Sequence, residues 1–272
     1  MQNFSASPRE MVASFWRNRS LISNLVHREV VGRYKGSMLG IFWSLANPIF
    51  MLAVYTFVFS EVFKARWHAG SDSKTEFALV LFAGLMIFNL FSECVSRAPS
   101  LILANVNYVK KVVFPLEILP WVIMGSALFH FMVSLGVWLV AYALLFGPPH
   151  WQVLMLPLVL LPLILFVMGL SWAISALGVY LRDVGQIIGL LITVMMFLTP
   201  IFYPASALPD KYQAIMLLNP LTPPIEMARG MLYFGEVPNF SLLTFYCLIS
   251  IVFVILGFSW FQKTRKGFAD VL

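Results

Sequence analysis

The chain has 272 residues, 60% of them hydrophobic and only 11% charged, with a mean hydropathy of +0.86. Soluble domains carry roughly 25% charged residues, so this composition excludes a soluble enzyme, a disordered chain and a nucleic-acid module, since too few charges are present to cover so much apolar surface. The net charge of +6 then calls for a membrane explanation, and the expected fold class is an all-α membrane protein with six transmembrane helices.

Residues 1–35 read as a cytoplasmic, amphipathic, interfacial helix. Ser7 is placed to cap it, Pro8 occupies the first helical position, and Glu10 can reach back to complete a capping box. Met11, Phe15, Ile22 and Val26 recur at helical spacing, with Arg17, Arg19 and Arg28 between them, and Phe15-Trp16 supplies an aromatic anchor. The same pattern would also serve a surface helix packed on a partner. Arg9, Arg17, Arg19, Arg28, Arg33 and Lys35 come with no early apolar run, so no cleavable leader is expected.

A helix needs about 20 apolar residues to cross the hydrocarbon core. The first expected span covers residues 37–60, which carry no charge, and a mixed-charge stretch at 64–76 separates it from the second, 77–97, which carries none before Glu93. A less apolar connection, 97–114, contains Asn105, Asn107, Tyr108, Lys110 and Lys111. Residues 118–181 then carry no formal charge, too long a run for one helix. Gly147-Pro148-Pro149-His150 divides it into spans at 116–146 and 151–180. Arg182-Asp183 forms a tight polar turn before a fifth span, 184–203.

Segment 204–238 is interrupted by Pro204, Pro209, Pro220, Pro223, Pro224 and Pro238. It is too apolar for a free loop and too broken for a span. Short re-entrant or interfacial helices are expected, because non-helical backbone at membrane depth must be buried in protein or line a water-filled cavity. A sixth span, 240–261, precedes a basic tail, 262–272, so that residues 36–261 form one membrane domain. Thirteen basic residues flank the spans on the side of the termini and five on the other, which places both termini in the cytoplasm.

The chain carries no phosphate-binding Gly-x-x-x-x-Gly-Lys-Ser/Thr, no His-Glu-x-x-His and no Gly-x-Ser-x-Gly. Its four histidines lack ligand spacing. His130, inside the third span, has no acidic neighbour on its own helix face and is expected to be a neutral, hydrogen-bonded group at a helix interface rather than a proton relay. Glu93, Glu117 and Asp183 all fall near expected cytoplasmic ends, so no carboxylate marks an ion-coupling site at mid-membrane. Cys94 and Cys247 sit in apolar runs as small buried hydrophobes. A membrane protein with no energy site of its own is either passive or powered by another subunit.

Aromatic residues are abundant, with 25 Phe, 8 Trp and 9 Tyr. In the first span Trp43, Phe50 and Phe57 form one helical stripe, and Tyr55, Phe59 and Phe63 another on roughly the opposite face. Aromatic faces suit sugar rings, and they equally suit helix packing or an interfacial belt.

Four segments stand out: Arg33-Tyr34-Lys35-Gly36-Ser37-Met38-Leu39-Gly40 with Trp43 and Asn47-Pro48; Tyr108-Val109-Lys110-Lys111-Val112-Val113-Phe114-Pro115 with Leu119-Pro120; Tyr180-Leu181-Arg182-Asp183-Val184 with Thr199-Pro200-Ile201-Phe202-Tyr203-Pro204; and Asn219-Pro220 with Arg229-Gly230. Together they resemble the permease subunit of type-2 ABC exporters for bacterial cell-surface polysaccharides, a family that includes O-antigen, capsule and teichoic-acid exporters. The resemblance implies a homodimer joined by two separate ABC ATPase subunits, which carry the ATP and magnesium, with no cofactor on this chain. It implies export of an undecaprenyl-type lipid-linked polysaccharide, foremost O-antigen, across the bacterial inner membrane, and contact with membrane lipids but no nucleic acid.

The resemblance further implies that the stretch Arg97 to Lys111 is a coupling helix, with Asn105, Asn107, Tyr108, Lys110, Lys111, Arg182 and Asp183 facing the ATPase and Phe15, Trp16, Arg17 and Arg19 on a second contact. The lysines equally suit plain cytoplasmic charge, and Arg182-Asp183 a local ion pair. Trp43, Phe50, Tyr55, Phe57, Phe197, Phe202 and Tyr203 would line the substrate path. Pro204, Asn219, Pro220, Glu226 and Arg229 would belong to an external gate. The alternatives are a type-2 ABC permease for a small drug or lipid, a membrane-embedded transferase, and a passive channel or scaffold.

Overall fold

The charge-free runs become helices wherever proline and glycine allow. The computed structural model describes residues 5–62, 67, 75–110, 114–204, 209, 211, 216 and 218–272, and among these every regular element is helical. In chain order the α-helices are α1 (Pro8–Arg17), α2 (Arg19–Tyr34), α3 (Trp43–Tyr55), α4 (Glu76–Arg97), α5 (Val106–Val109), α6 (Leu119–Phe146), α7 (Leu156–Tyr180), α8 (Val184–Leu198), α9 (Thr222–Arg229), α10 (Phe240–Thr264) and α11 (Phe268–Val271). Five apolar stretches are long enough to cross a membrane: Gly40–Phe59, Glu76–Ser100, Leu116–Phe146, Trp151–Tyr180 and Phe240–Val271.

The N-terminal segment is two helices rather than one. Ser7 caps α1 by accepting from the Glu10 N–H at 3.2 Å. The return half of the expected capping box does not form, because the Glu10 carboxylate turns to Arg17 at 2.7 Å. Asn18 leaves helical geometry and donates its side-chain amide to the Ser14 carbonyl at 2.8 Å, ending the first helix. Both helices pack on the start of α6. The Phe15 ring lies 4.7 Å from Trp121, and Ile22 and Leu25 bury against Ile118 and Val122. Gly36 and Gly40, with φ of +87° and +53°, take the left-handed conformations that swing the chain from α2 into α3. The first apolar helix therefore starts at Gly40 rather than at residue 37, and a wider π-helical turn, Thr56–Val62, continues it.

The central helix is α4, whose Ala78, Val80, Leu81, Ala83 and Ile87 are fully buried. The Trp138 indole of α6 donates to the Leu79 carbonyl at 2.9 Å. Gly147, at φ +92° and followed by two prolines, ends α6 as expected. The most extensive helix pair is α7 with α10. A Cβ at Gly257 would lie 2.0 Å from the Gly169 carbonyl oxygen, and one at Gly169 would lie 2.4 Å from that of Phe253. Glycines thus let these two backbones touch, the small-residue packing that helices use in lipid.

The fifth apolar helix is shorter than expected. α8 has 15 residues, about 22 Å at 1.5 Å per residue against a hydrocarbon core of about 30 Å. It stops at Leu198 because Pro200 pushes Thr199 into extended geometry, φ −89° and ψ 141°. Of the proline-broken segment, the described part contains α9 and a π-helical turn, Gly230–Phe234, both buried. Pro223 and Pro224 fall in the first turn of α9, where a missing N–H costs little.

Candidate functional site

At one end of the bundle, charges far apart in sequence meet between α2, α4 and α6. Arg33 lies 2.8 Å from the Glu93 carboxylate, and His130 lies 3.0 Å from the same group. Arg33 also approaches the His130 ring at 3.1 Å, and the Tyr34 hydroxyl lies 3.2 Å from its Nε2. Arg97 pairs with Glu29 and sits 3.8 Å from Glu93. Arg33, Tyr34, Glu93 and His130 line a polar cleft of about 360 Å³. His130 is at a helix interface as expected, but its acidic neighbour comes from another helix, 37 residues away. Reasoning along one helix face finds only partners three or four residues off.

A second junction lies nearby. Glu117 accepts from Ser14 of α1 at 2.8 Å and from Arg265 of the tail at 2.6 Å. Arg265 also donates to the Phe114 carbonyl at 2.9 Å, and Trp172 of α7 donates to the Glu117 carbonyl at 3.0 Å. Three segments, α1, α7 and the tail, thus converge on Glu117, with α1 and the tail on its almost wholly buried carboxylate.

The expected coupling segment reaches this same end, but as short turns rather than one helix: Ala98–Ser100, Leu103–Asn105 and α5. Two features cut it short: Pro99 opens the first turn, and Asn105 leaves helical geometry at φ −121° and ψ 33°. Asn105 donates to the Leu101 carbonyl at 2.9 Å, and Tyr108 accepts from Arg28 at 3.0 Å while stacking on Phe114 at 4.1 Å. Asn107 and Lys110 are exposed, and Lys111 lies outside the described residues. The Pro99 carbonyl sits against α7, where a Cβ at Gly178 would lie 2.1 Å from it. Arg182 and Asp183 are exposed in the following turn, and among the described residues no ion pair joins them. Of the N-terminal residues, Arg17 pairs with Glu10, Phe15 packs inward on Trp121, and Trp16 is exposed with the Arg19 guanidinium 5.8 Å from its ring.

The opposite end is organised by Arg229, which is 1% exposed. Its guanidinium donates to the Val80 carbonyl of α4 at 3.1 Å and to the Pro200 and Ile201 carbonyls just beyond α8. Its Cζ sits 4.5 Å from the Trp67 ring centroid, and it lies 3.3 Å from Glu226, whose carboxyl burial pushes above its ordinary range. Gly84 of α4 makes room, since a Cβ there would be 2.5 Å from the guanidinium. Asn219 donates to the Thr199 hydroxyl at 2.9 Å and to the Leu198 carbonyl at 3.3 Å. A helix C-terminus leaves carbonyls unpaired, and here Asn219 and Arg229 take up those that end and follow α8. Pro204 and Pro220 are half-buried beside them.

The aromatic residues of the expected path separate into two sets. Trp43, Phe50 and Phe57 are 47%, 70% and 63% exposed on one face of α3 and its continuation. Tyr55 and Phe59 turn inward and pack on the core, so Tyr55 does not share a face with the other three; Phe63 lies outside the described residues. Phe202 bridges Phe59 and Phe197, with ring centroids 6.5 and 6.0 Å away, and the Tyr203 hydroxyl donates to the Phe197 carbonyl at 3.0 Å. On α8, Ile187, Leu190, Leu191, Val194, Phe197 and Leu198 form an exposed apolar face.

Comparison with known proteins places these features in context. Residues 20–233 match the family described as ABC-2 type transporter. An O-antigen export system permease protein of Myxococcus xanthus is 30% identical over 96% of this chain and 98% of its own length. One from Klebsiella pneumoniae is 28% identical over 93% of this chain and 95% of its own. A capsule polysaccharide export inner-membrane protein of Neisseria meningitidis is 26% identical over 93% of this chain and 96% of its own.

Proposed function

The chain belongs to the ABC-2 type transporter family, and on that footing we propose that it is the membrane-spanning permease half of an ATP-driven exporter of lipid-linked polysaccharide, with O-antigen as the substrate class. The observation that carries this reading is the end-to-end similarity to O-antigen export permeases, 30% identity over 96% of the chain for the Myxococcus xanthus protein. The relatives that match over nine-tenths of the chain are named for O-antigen, capsule or polysialic acid, which favours polysaccharide over a small drug or lipid.

In this reading two copies assemble with two ATPase subunits, which bind ATP and magnesium, and move an undecaprenyl-type lipid-linked glycan out of the cytoplasm. Six crossings, with α8 as the short fifth, put both termini on the cytoplasmic side of the inner membrane, and α1 lies in the headgroup region. The uncovered apolar faces of α3 and α8 support assembly with a second copy, since the chain's own packing leaves them open. Asn107, Lys110, Arg182 and Asp183 are exposed at one end and available to an ATPase. Closure of the ATPase pair on ATP would press on residues 98–110, and the Pro99–Gly178 contact would pass the push into α7. At the far end, the α9 segment held by Arg229 would act as the external gate, and the exposed rings of α3 and α8 would let sugar slide past without tight bonds.

The test is reconstitution. Purified from a host that also makes the candidate ATPase, the permease should bring that subunit with it, and proteoliposomes containing both should move glycan only with ATP. Uphill glycan transport by the permease alone would overturn the reading.

A further inference from the structure

The polar cleft at Arg33 and Glu93 and an apolar groove follow one another along α3 and α6, which wall both, and together they make one candidate site. Its polar end is walled by Asn47, Asn89, Glu93, His130 and Ser134. Its other end is an apolar groove of about 940 Å³, walled by Ile49, Leu52 and Phe57 on one side and Val137, Val140 and Leu144 on the other. From Asn47 to Phe57, and from Ser134 to Leu144, each wall rises about 15 Å at 1.5 Å per residue. That is about half of a 30 Å hydrocarbon core, the depth of one leaflet.

Polarity falls in steps along this cleft. At the mouth, one guanidinium, Arg33, and the His130 ring face one carboxylate, Glu93, at 2.8 and 3.0 Å. One step deeper, Asn47 and Asn89 are exposed on apolar helices, and their carboxamides have no hydrogen-bond partner among the described residues. An amide facing hydrocarbon without a partner is costly. Beyond them the walls are apolar. A glycerophospholipid has the same order: charged head, ester carbonyls, acyl chain.

We propose that this cleft holds one bilayer glycerophospholipid with a zwitterionic, ammonium-bearing head. Its phosphate meets Arg33 and the Tyr34 hydroxyl, its ammonium meets Glu93, its ester carbonyls accept from Asn47 and Asn89, and one acyl chain fills the groove between α3 and α6. The balanced charge at the mouth selects a zwitterion. A lipid diphosphate would bring several negative charges to a single guanidinium that Glu93 already balances. The inference rests on the chain being a membrane protein and not on what it exports.

Gly136 provides the test. It lines the groove, and a Cβ there would meet nothing within 4 Å, so Gly136→Trp should fill the groove without disturbing the packing. Val140→Trp, at a position 62% exposed, does the same one turn along. The full permease, extracted in mild detergent, is analysed by native mass spectrometry, with phosphatidylethanolamine, phosphatidylglycerol and a polyprenyl diphosphate competing in nanodiscs. The expected result is one phosphatidylethanolamine retained per wild-type chain, and about tenfold weaker retention in both variants, a loss of about 1.4 kcal/mol, at unchanged oligomeric state and melting temperature. Equal retention by wild type and variants, or a wild-type preference for either competing lipid, would overturn the proposal. So would variants that lose self-association, because the groove would then belong to a second copy of the chain.

Discussion

Glu117 and Arg265, 148 residues apart along the chain, meet at 2.6 Å in a nearly dry site where the N-terminal helix, the start of α6 and the C-terminal tail come together. A charge buried with its partner is costly to leave alone. Replacing Arg265 with Ala should therefore lower stability by about 3 kcal/mol, read as a fall in melting temperature in detergent, and should increase proteolysis of residues 1–35. Glu117→Gln with Arg265→Ala should cost less than the two single losses added together, since both charges then leave at once.

Arg229 serves three carbonyls that no other side chain reaches in the described structure. Arg229→Ala should destabilise by about 3 kcal/mol, because it orphans the Pro200 and Ile201 carbonyls and each orphaned buried acceptor costs about 1–3 kcal/mol. Arg229→Lys should rescue little, since an ammonium lacks the planar fork that spans two elements. Gly84→Val should mimic the loss by displacing the guanidinium. Melting temperature across the three variants decides the matter.

The separation of the aromatic residues yields a contrast. Trp43→Ala with Phe50→Ala changes only exposed rings, so surface glycan should fall severalfold while melting temperature and ATPase copurification hold. Tyr55→Ala removes an inward ring and should lower stability by about 1–3 kcal/mol. Normal glycan display by the Trp43/Phe50 double variant would remove the aromatic-path idea.

Lys110 and Asn107 are exposed on the same short helix and its cap. Lys110→Glu should reduce copurifying ATPase about tenfold, the effect of about 1.4 kcal/mol, and leave melting temperature unchanged. Unaltered copurification together with unaltered export would argue against this contact.

Much of the helical layout was legible in the residues. Apolar runs marked the five long helices, and Gly147-Pro148-Pro149 marked the break in the longest run, because hydropathy and proline act locally. The end of α8 was also written locally, in the restriction that Pro200 places on Thr199, but apolarity continuing to Tyr203 masked it. The Arg33–Glu93–His130 cluster left no such trace, as its members belong to three helices whose pairing only the tertiary packing decides. Glu10 illustrates the same limit at short range: two bonds were open to it, and the Arg17 charge outcompeted a backbone N–H. The resemblance implied a gate role for Arg229, yet nothing in the residues revealed the carbonyls it binds.

The glycine seam between α7 and α10 has a mechanical consequence. Two backbones in contact at Gly169 and Gly257 cannot slide without unlocking, so this pair behaves as a fixed mast. In the proposed dimer, any widening would come from the flanks, α3 and α8, swinging like shutters around it.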